Sequence, residues 1–299
     1  MSEEHHDHLS LFESRRALLT GLAYRILGSL AEAEDAVQDT FVKWSQADRR
    51  AINNPAAWLT SACTRRCIDL LRAARQVRVD YIGTWLPEPI QCVTENTPER
   101  ALDLSSSLSM AFLLLLERLA PKERAAYLLH EIFEQPYAQV AAVLGMQETA
   151  CRKLVSRARI NVGRTDARNV VTAQRQETLL AAFQSAIATG ATGNLAALMA
   201  QDIQLKADGG GKAATLLDPL YGKARVLEFI AGKLSGFWKT YEWRSADING
   251  SRGALLLDGG RISAALSFGF DAHGDLSGIF IMRNPDKLAR LSEPEIFLQ

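Results

Sequence analysis

The sequence has little cysteine, no long apolar run and no net charge. Four cysteines in 299 residues fit reduced thiols better than a disulfide framework. The apolar stretch from Ala111 to Leu116 is too short to cross a membrane, and Glu117 ends it. The amino terminus lacks the charged-then-apolar pattern of a signal peptide. We therefore expect a cytoplasmic protein without membrane spans.

Although the net charge is zero, one stretch of the sequence has an excess of basic residues and another has an excess of acidic residues. Lys plus Arg and Asp plus Glu both number 34, which argues against a uniformly basic nucleic-acid-binding protein. Residues 151–168 nevertheless hold six basic side chains against one acid, Asp166, and residues 32–39 hold four acids and no base. We expect a chain that contacts DNA with one surface and a protein with another.

Residues 137–159 predict a helix-turn-helix. Apolar residues recur at helical spacing on both sides of Gly145, a residue that tolerates the positive φ of a helix end. The second helix is cationic and could enter a DNA major groove. Its cations are Arg152, Lys153, Arg157 and Arg159.

The chain before this motif is helical and is then interrupted. Ser29, with Glu32 three residues later, predicts one helix start, and Asn54 followed by Pro55 predicts another. Residues 76–105 contain three prolines and break the helical pattern, which indicates a linker.

Beyond residue 168 the pattern changes from helix to strand. An amphipathic helix at about 174–189 precedes alternating, glycine-punctuated segments, and a short helix at about 222–234 interrupts them. The predicted strands are 203–207, 241–249, 253–258, 261–270 and 276–283. Gly259-Gly260 predicts a hairpin turn. We expect an α+β domain with a curved sheet.

Three stretches together resemble one known family, the extracytoplasmic-function (ECF) sigma factors. GSLAEAEDAVQDTFVKWSQ and NNPAAWLTSACTRRCIDLLRAAR are similar to sigma region 2. LAPKERAAYLLHEIFEQPYAQVAAVLGMQETACRKLVSRAR is similar to region 4. The remainder, with WLPEP at 85–89, DGGGK at 208–212 and NPDKL at 284–288, resembles the group with a fused SnoaL-like, NTF2-like domain.

The resemblance implies a multidomain fold, in which two all-α sigma domains precede an α+β SnoaL-like cone. The implied domains are region 2 over 1–75, a linker over 76–105, region 4 over 106–168 and the SnoaL-like domain over 169–299. The implied function is that of a sigma factor, which directs RNA polymerase to specific promoters. The implied partners are the core polymerase, promoter DNA at its −10 and −35 elements, and the chain's own C-terminal domain, which would regulate the sigma regions.

The resemblance also implies roles for three sets of residues. The DNA-contacting set is Asn53, Arg65, Arg66, Arg72, Thr149, Arg152, Lys153, Arg157 and Arg159. The polymerase-contacting set, on an acidic helix, is Glu34, Asp35, Gln38 and Asp39. The regulatory contact is made by Trp85, Pro87, Asp208, Gly209, Gly210, Gly211, Lys212, Asn284, Pro285 and Asp286.

Two other functions remain open on the sequence. One is a one-component DNA-binding regulator that senses a ligand in its C-terminal domain, and the other is a SnoaL-type enzyme on a DNA-binding module. The carboxylates and imidazole considered for catalysis are Asp208, Asp247, Asp258, Asp271 and His273. Asp258 and Asp271 fall in turn-like sequences and no acid–base pair stands out, so we expect no catalysis and no cofactor. The DGGGK stretch lacks the longer phosphate-loop pattern.

Two further features have an ordinary and a functional interpretation. Cys63 and Cys67, four residues apart, could form a redox or zinc sensor, but no other ligand lies at metal-binding spacing, and we expect apolar core thiols and no metal. Trp58 could stack on an unpaired base. It shares a helical face with Ala62, and we expect it in the core.

Overall fold

The computed structural model describes residues 2–48, 51–91, 108–163 and 171–291, with side chains from residue 9 onward. The chain divides into two compact units, one formed by residues 1–79 and 115–164 and the other by residues 80–114 and 165–299. The predicted boundaries near residues 105 and 168 lie outside the described residues. The segment 80–114 belongs to the same unit as the C-terminal sheet.

Helices make up the first unit and helices with strands the second. The helices are α1 (Ser2–Leu27), α2 (Leu30–Gln46), α3 (Pro55–Val77), α4 (Met110–Leu116), α5 (Pro121–Tyr127), α6 (Tyr137–Leu144), α7 (Glu148–Val162), α8 (Ala173–Thr189), α9 (Gly193–Ala197), α10 (Lys223–Phe229), α11 (Ser235–Trp238) and α12 (Pro285–Leu288). The strands are β1 (Met199–Asp208), β2 (Leu220–Tyr221), β3 (Glu242–Ile248), β4 (Ser251–Asp258), β5 (Arg261–Phe270) and β6 (Leu276–Met282). Within the described ranges, no helix has the length and apolarity to cross a membrane.

The two helix starts predicted in the first unit are confirmed. Ser29 Oγ accepts a hydrogen bond from the Glu32 amide at 3.4 Å and begins α2. Asn54 Oδ1 accepts one from the Ala57 amide at 3.0 Å, and the proline that follows is the first residue of α3. Side-chain caps of this kind accept hydrogen bonds from amides of the first helical turn, which have no carbonyl partner within the helix. Helices α1, α2 and α3 enclose a core that includes Phe12, Leu19, Leu22, Trp44, Leu59 and Leu71.

The helix-turn-helix is also confirmed. Helix α6 ends at Gly145, whose φ of +63° is the left-handed conformation that glycine adopts without a Cβ clash. Helix α7 begins three residues later, at Glu148. Both helices pack on α5.

Over the described residues, six strands of the second unit form one mixed sheet in the order β2-β1-β6-β5-β4-β3. Strands β1 and β6 are parallel and the other neighbours are antiparallel. The five predicted strands are confirmed within a few residues, as is the turn at Gly259 and Gly260, where φ is +56° and +78°. The sequence analysis missed β2 and α9, both of which are too short to show a periodicity.

The sheet is buried on both faces. One face packs against α8, α10 and α11, with Phe183 and Trp238 at the centre of that core. The other face packs against Leu86, Met110 and Leu288, which come from the segment before the sheet and from the chain after it. The sequence predicted alternating strands, but β4, β5 and β6 hold nearly continuous buried runs because each face has a cover.

Candidate nucleic-acid interface and the Asp208 cluster

Helix α7 separates an apolar side from a cationic side. Its buried residues are Cys151, Leu154, Val155, Ala158 and Val162. The residues that the resemblance assigns to DNA, Thr149, Arg152, Lys153, Arg157 and Arg159, are all exposed. A second helix that packs on the first through one stripe and leaves cations in solvent has the geometry of a recognition helix.

Arg152 is oriented by two neighbours. Its guanidinium carbon lies 4.4 Å from the centre of the Tyr137 ring, and its Nη2 donates to Glu148 Oε1 at 2.6 Å. The tyrosine ring stacks on His130 with ring centres 3.8 Å apart. Because these contacts already restrict the side chain, Arg152 would lose little conformational freedom in any further contact that keeps this orientation.

The other cations of α7 differ in their ion pairs. Arg157 lies 3.6 Å from Glu123, and Arg159 lies 2.6 Å from Glu131. Both arginines are at least half exposed, so these pairs are weak and phosphate groups can replace the carboxylates. Among the residues that the structure describes, no acid pairs with Lys153.

An open cleft of about 810 Å³ lies between the α2–α3 connection and α6. Asn53 and Arg65 line it, and Arg65 Nε donates to the Val143 carbonyl at 3.0 Å. Trp58 also lines the cleft. We expected Trp58 in the core, but it is half-buried. One side of its ring packs on Trp44, with the ring centres 5.5 Å apart, and the rest of the indole borders the open cleft.

The remaining arginines of α3 lie beside acids of the same unit. Arg66 Nε donates to Asp39 Oδ2 at 2.6 Å, which joins a residue assigned to DNA to one assigned to the polymerase. Arg72 lies 3.4 Å from Asp69, one turn earlier on α3. The other polymerase-assigned residues, Glu34, Asp35 and Gln38, are exposed on α2.

A charged cluster that the sequence analysis missed surrounds Glu117. Its carboxylate accepts hydrogen bonds from Arg124 at 2.8 Å and from Arg78 at 3.4 Å, and its carbonyl accepts one from Arg75 at 3.1 Å. Burial alone would raise the pKa of Glu117, but the three arginines outweigh burial and lower that pKa. We call these four residues the Glu117 cluster. Its sequence signal was a charged residue directly after an apolar run.

The second unit contains a buried carboxylate, Asp208, which is 0% exposed. Its Oδ2 accepts hydrogen bonds from the Leu86 amide at 2.9 Å and from Lys287 Nζ at 2.7 Å. Its Oδ1 accepts them from the Tyr81 hydroxyl at 2.5 Å and from the Gly210 amide at 3.0 Å. We call these residues the Asp208 cluster. Burial, reinforced by the bond to Asp208, raises the pKa of Tyr81 far above its usual value, which keeps the hydroxyl a donor.

The cluster joins the three short motifs of the second unit. Lys287 Nζ lies 4.4 Å from the centre of the Trp85 ring, and Asn284 Nδ2 donates to the Tyr81 hydroxyl at 3.0 Å. Lys212 pairs with Asp286. Pro87 is buried, and Pro285 begins α12. The sequence analysis did not single out Tyr81, which stands just before the WLPEP motif.

The glycines of the DGGGK loop are required by close contacts. A Cβ on Gly210 would lie 2.3 Å from Asn284 Nδ2, and one on Gly211 would lie 2.9 Å from the Ile82 side chain. A Cβ on Gly209 would lie 2.2 Å from the Ala213 carbonyl oxygen. The first two contacts are with the tail and with the segment before the sheet, so the loop lies against both.

The other residues considered for catalysis lie elsewhere. Asp271 Oδ1 accepts hydrogen bonds from the amides of His273 and Asp275, both at 2.9 Å, which is the turn that the sequence predicted. Asp258 is exposed at the end of β4, and Asp247 pairs with Arg252 at 3.1 Å.

The two free cysteine thiols of α3 face the core. Cys63 and Cys67 are both 0% exposed, and the hydrogen bond with Cys63 together with burial raises the pKa of Cys67. In the described part of the chain, no three His, Cys, Asp or Glu side chains are grouped as ligands for a metal ion. This arrangement is typical of small apolar core residues.

Known proteins match this chain over both units. The family Sigma-70 region 2 matches residues 11–77, and Sigma-70, region 4 matches residues 109–162. The "ECF RNA polymerase sigma factor SigJ" of Mycobacterium tuberculosis is 33% identical over 298 residues, covering 93% of this chain and 92% of that protein. The "Probable ECF RNA polymerase sigma factor SigI" of the same species is 33% identical over 188 residues, covering 62% and 64%.

A solved structure agrees with the sequence comparisons. The crystal structure of the M. tuberculosis extracytoplasmic function sigma factor SigJ superposes with a TM-score of 0.71 at 32% identity, covering 94% of this chain and 98% of that one. Its match extends over the helical regions and the C-terminal α+β domain alike. With both sigma regions matched and a relative similar over nearly its whole length, this chain belongs to the extracytoplasmic-function sigma factors.

Proposed function

We propose that this sigma factor directs core RNA polymerase to promoters that carry separate −10 and −35 elements. The observation that supports this most is the exposed cationic side of α7, opposite a stripe that packs on α5 and α6. Thr149, Arg152 and Lys153, nearest the start of the helix, contact −35 base edges, while Arg157 and Arg159 contact phosphates.

Region 2 supplies the second DNA contact and the polymerase contact. The cleft beside Asn53 takes an unpaired −10 base, and the arginines of α3 bind the adjoining phosphates. Those arginines are Arg65, Arg66 and Arg72. The exposed acids of α2 bind a basic surface of the polymerase. Asp39 and Arg65 are bonded within the free chain, so DNA and polymerase compete with these internal contacts.

The C-terminal domain regulates the sigma regions by contact rather than by catalysis. The supporting observation is that one buried carboxylate, Asp208, is bonded both to the segment that follows region 2 and to the tail. Its acceptor sites are already occupied by four protein donors, which leaves it poorly suited to act as a general base.

Transcription with purified components tests the proposal. Core polymerase plus this protein should give transcripts from defined start sites on genomic template, and a map of those sites should show two shared upstream elements. A protein that yields no specific transcript, as the full chain or without its C-terminal domain, is not acting as a sigma factor. A one-component regulator would bind DNA without retaining polymerase subunits in a pull-down.

A further inference from the structure

Three side chains of region 4 form a stack to which no role in DNA recognition has yet been given as a whole. Tyr137, the first residue of α6, is half-buried at its centre. The His130 ring lies on it with ring centres 3.8 Å apart and the two planes inclined by 28°. The guanidinium carbon of Arg152, from α7, lies 4.4 Å from the same ring centre. A ring face covered so closely by an imidazole has no room for a guanidinium, so the tyrosine is held between the two.

The histidine is fixed by the turn that carries it. Residues Leu128–Ile132 form one π-helical turn, and Glu134 follows with a φ of +51°. His130 Nδ1 lies 2.9 Å from the Gln135 carbonyl oxygen. Because a carbonyl oxygen can only accept, the ring carries a hydrogen on Nδ1 and donates it there. The imidazole therefore presents a fixed face to Tyr137.

The tyrosine side chain also interacts with a second cation of α7. Glu131, which accepts a hydrogen bond from Arg159 at 2.6 Å, raises the pKa of that guanidinium, and the Tyr137 side chain adds to the increase. Arg152 and Arg159 are seven residues apart, so they lie on one side of α7, two helical turns from each other. One aromatic side chain thus lies beside a cation assigned to base edges and a cation assigned to phosphate.

The ion pair of Arg152 does not by itself fix the orientation of the side chain. The Arg152 and Glu148 side chains are 59% and 43% exposed, and a pair in solvent is weak and leaves long side chains mobile. Tyr137 is rigid by comparison, because it begins a helix after Pro136 and is covered by His130. A guanidinium over such a ring gains a cation–π contact and a defined position.

We propose that Tyr137 is a positioning residue for −35 recognition, which holds Arg152 in the orientation that meets a guanine edge, and that His130 holds Tyr137 in turn. The guanine edge offers two acceptors, N7 and O6, to which one guanidinium can donate in parallel. Tyr137 acts through Arg152 and not by its own contact with DNA. The inference rests on the proposed function, since it concerns a residue assigned there to base edges.

Binding by the holoenzyme tests the proposal. Core polymerase with the full chain is titrated with a −35 duplex from a mapped promoter, and with the same duplex after its −35 guanines are replaced. Tyr137→Leu keeps an apolar side chain but removes the ring, and it should lower the ratio of the two affinities about three- to fivefold. Its affinity for the replaced duplex should stay within about twofold, because phosphate contacts remain. Tyr137→Phe keeps both ring faces and should retain the ratio.

A double-mutant cycle decides whether Tyr137 acts through Arg152. In the Arg152→Ala background, Tyr137→Leu should change the ratio by less than about 1.5-fold, because the side chain that it positions is gone. His130→Ala should lower the ratio less than Tyr137→Leu does. A loss that is as large without Arg152 as with it would overturn the proposal. So would a rise in affinity for both duplexes in Tyr137→Leu, which would mean that the ring holds the arginine away from DNA.

A measurement on the free chain separates a displaced arginine from an altered fold. Because the Arg152 side chain lies over the Tyr137 ring, ring current should shift its proton resonances upfield in the full chain labelled at arginine. Arg152→Ala assigns these resonances by their loss. The shift should persist in Tyr137→Phe and vanish in Tyr137→Leu, while arginines outside α7 keep their resonances. Changes throughout the arginine spectrum of Tyr137→Leu would make Tyr137 a core residue and contradict a positioning role.

The two proposals fail in different ways. If the holoenzyme of the unmodified chain binds both duplexes equally, −35 recognition is wrong, and the positioning of Arg152 for it is wrong as well. If the unmodified chain discriminates and Tyr137→Leu discriminates equally well, the positioning role alone is wrong.

Discussion

At the scale of single residues, a buried charge needs a buried partner of opposite sign. Asp208 is fully buried and Lys287 is 13% exposed at its side chain, so each desolvated charge depends on the other. Such a pair adds little stability relative to an apolar pair, but the removal of one partner leaves the other charge buried and unpaired. The Asp208 cluster is therefore easily broken by a single substitution.

Asp208→Asn tests this dependence. The amide keeps the volume of the side chain but leaves the Lys287 ammonium without its counter-charge, and we expect a loss of roughly 3 kcal/mol in the free energy of unfolding. Urea denaturation of the full chain, followed by tryptophan fluorescence, measures the change. Asp258→Asn, at an exposed turn, is the control and should be close to neutral. Equal midpoints for the two variants would contradict the role of the buried pair.

The cations of α7 are expected to differ in what they recognise. Arg152→Ala should remove about 1–3 kcal/mol of discrimination between a −35 duplex and a mismatched duplex. Arg157→Ala should weaken both duplexes equally and lower the salt slope by about one. Titrations of the two duplexes at several salt concentrations separate these effects. If Arg152→Ala weakened both duplexes equally, Arg152 would be a phosphate contact.

At the scale of elements, the Glu117 cluster joins the end of α3 to α5 through Glu117, which lies between α4 and α5. Since the folded-state pKa of Glu117 lies below its ordinary value of 4.5, the carboxylate stabilises the fold above the unfolded pKa. That contribution is lost as the pH falls through the lowered folded-state pKa. Acid should therefore weaken the contact between α3 and α5.

Glu117→Gln should lower the melting temperature near neutral pH, and the difference from the unmodified chain should shrink over the range of pH below the ordinary glutamate pKa of 4.5. Thermal denaturation across this range, monitored by circular dichroism, measures it. Glu242→Gln is a suitable control because the Glu242 side chain is 54% exposed, so its ion pair with Arg244 contributes little. A difference that does not change with pH, down to the acid unfolding of the unmodified chain, would mean that Glu117 acts through packing.

The elements also show which features can be predicted from sequence. Asn54-Pro55 and Gly145 specify local backbone geometry, so the start of α3 and the turn of the helix-turn-helix were predictable. Three glycines in the DGGGK loop indicated a close approach, but only the fold reveals that Asn284 and Ile82 make it. Asn249 followed by a glycine has the composition of an ordinary hairpin turn, and nothing local indicates that the asparagine is buried.

At the scale of the whole molecule, the tail and the linker meet on one sheet face. Removal of residues 284–299 takes away Lys287 and Leu288, and with them part of the Asp208 cluster and of the second apolar cluster. We expect the truncated chain to show changed transcription from a cognate promoter but unchanged affinity for a −35 duplex. Run-off transcription and duplex titration measure the two quantities. Equal transcription by both chains would exclude a role for the tail.

The division into units was the least predictable feature of the molecule. The helix and strand patterns placed the first helices, the helix-turn-helix and the sheet correctly in order, because each depends on periodicity within its own segment. That segment 80–114 belongs with the sheet depends on contacts between residues more than a hundred positions apart, such as Leu86 with Asp208. A pattern within a single window of sequence carries no information on such a pairing.

The double-sided burial of the sheet has a consequence for synthesis on the ribosome. Leu86 and Met110 leave the exit tunnel well before β3 to β6, against which they pack in the finished chain. During elongation the linker is therefore uncovered while both sigma regions are already complete. A nascent or prematurely terminated chain would therefore carry both sigma regions with the apolar side chains of Leu86 and Met110 exposed to solvent.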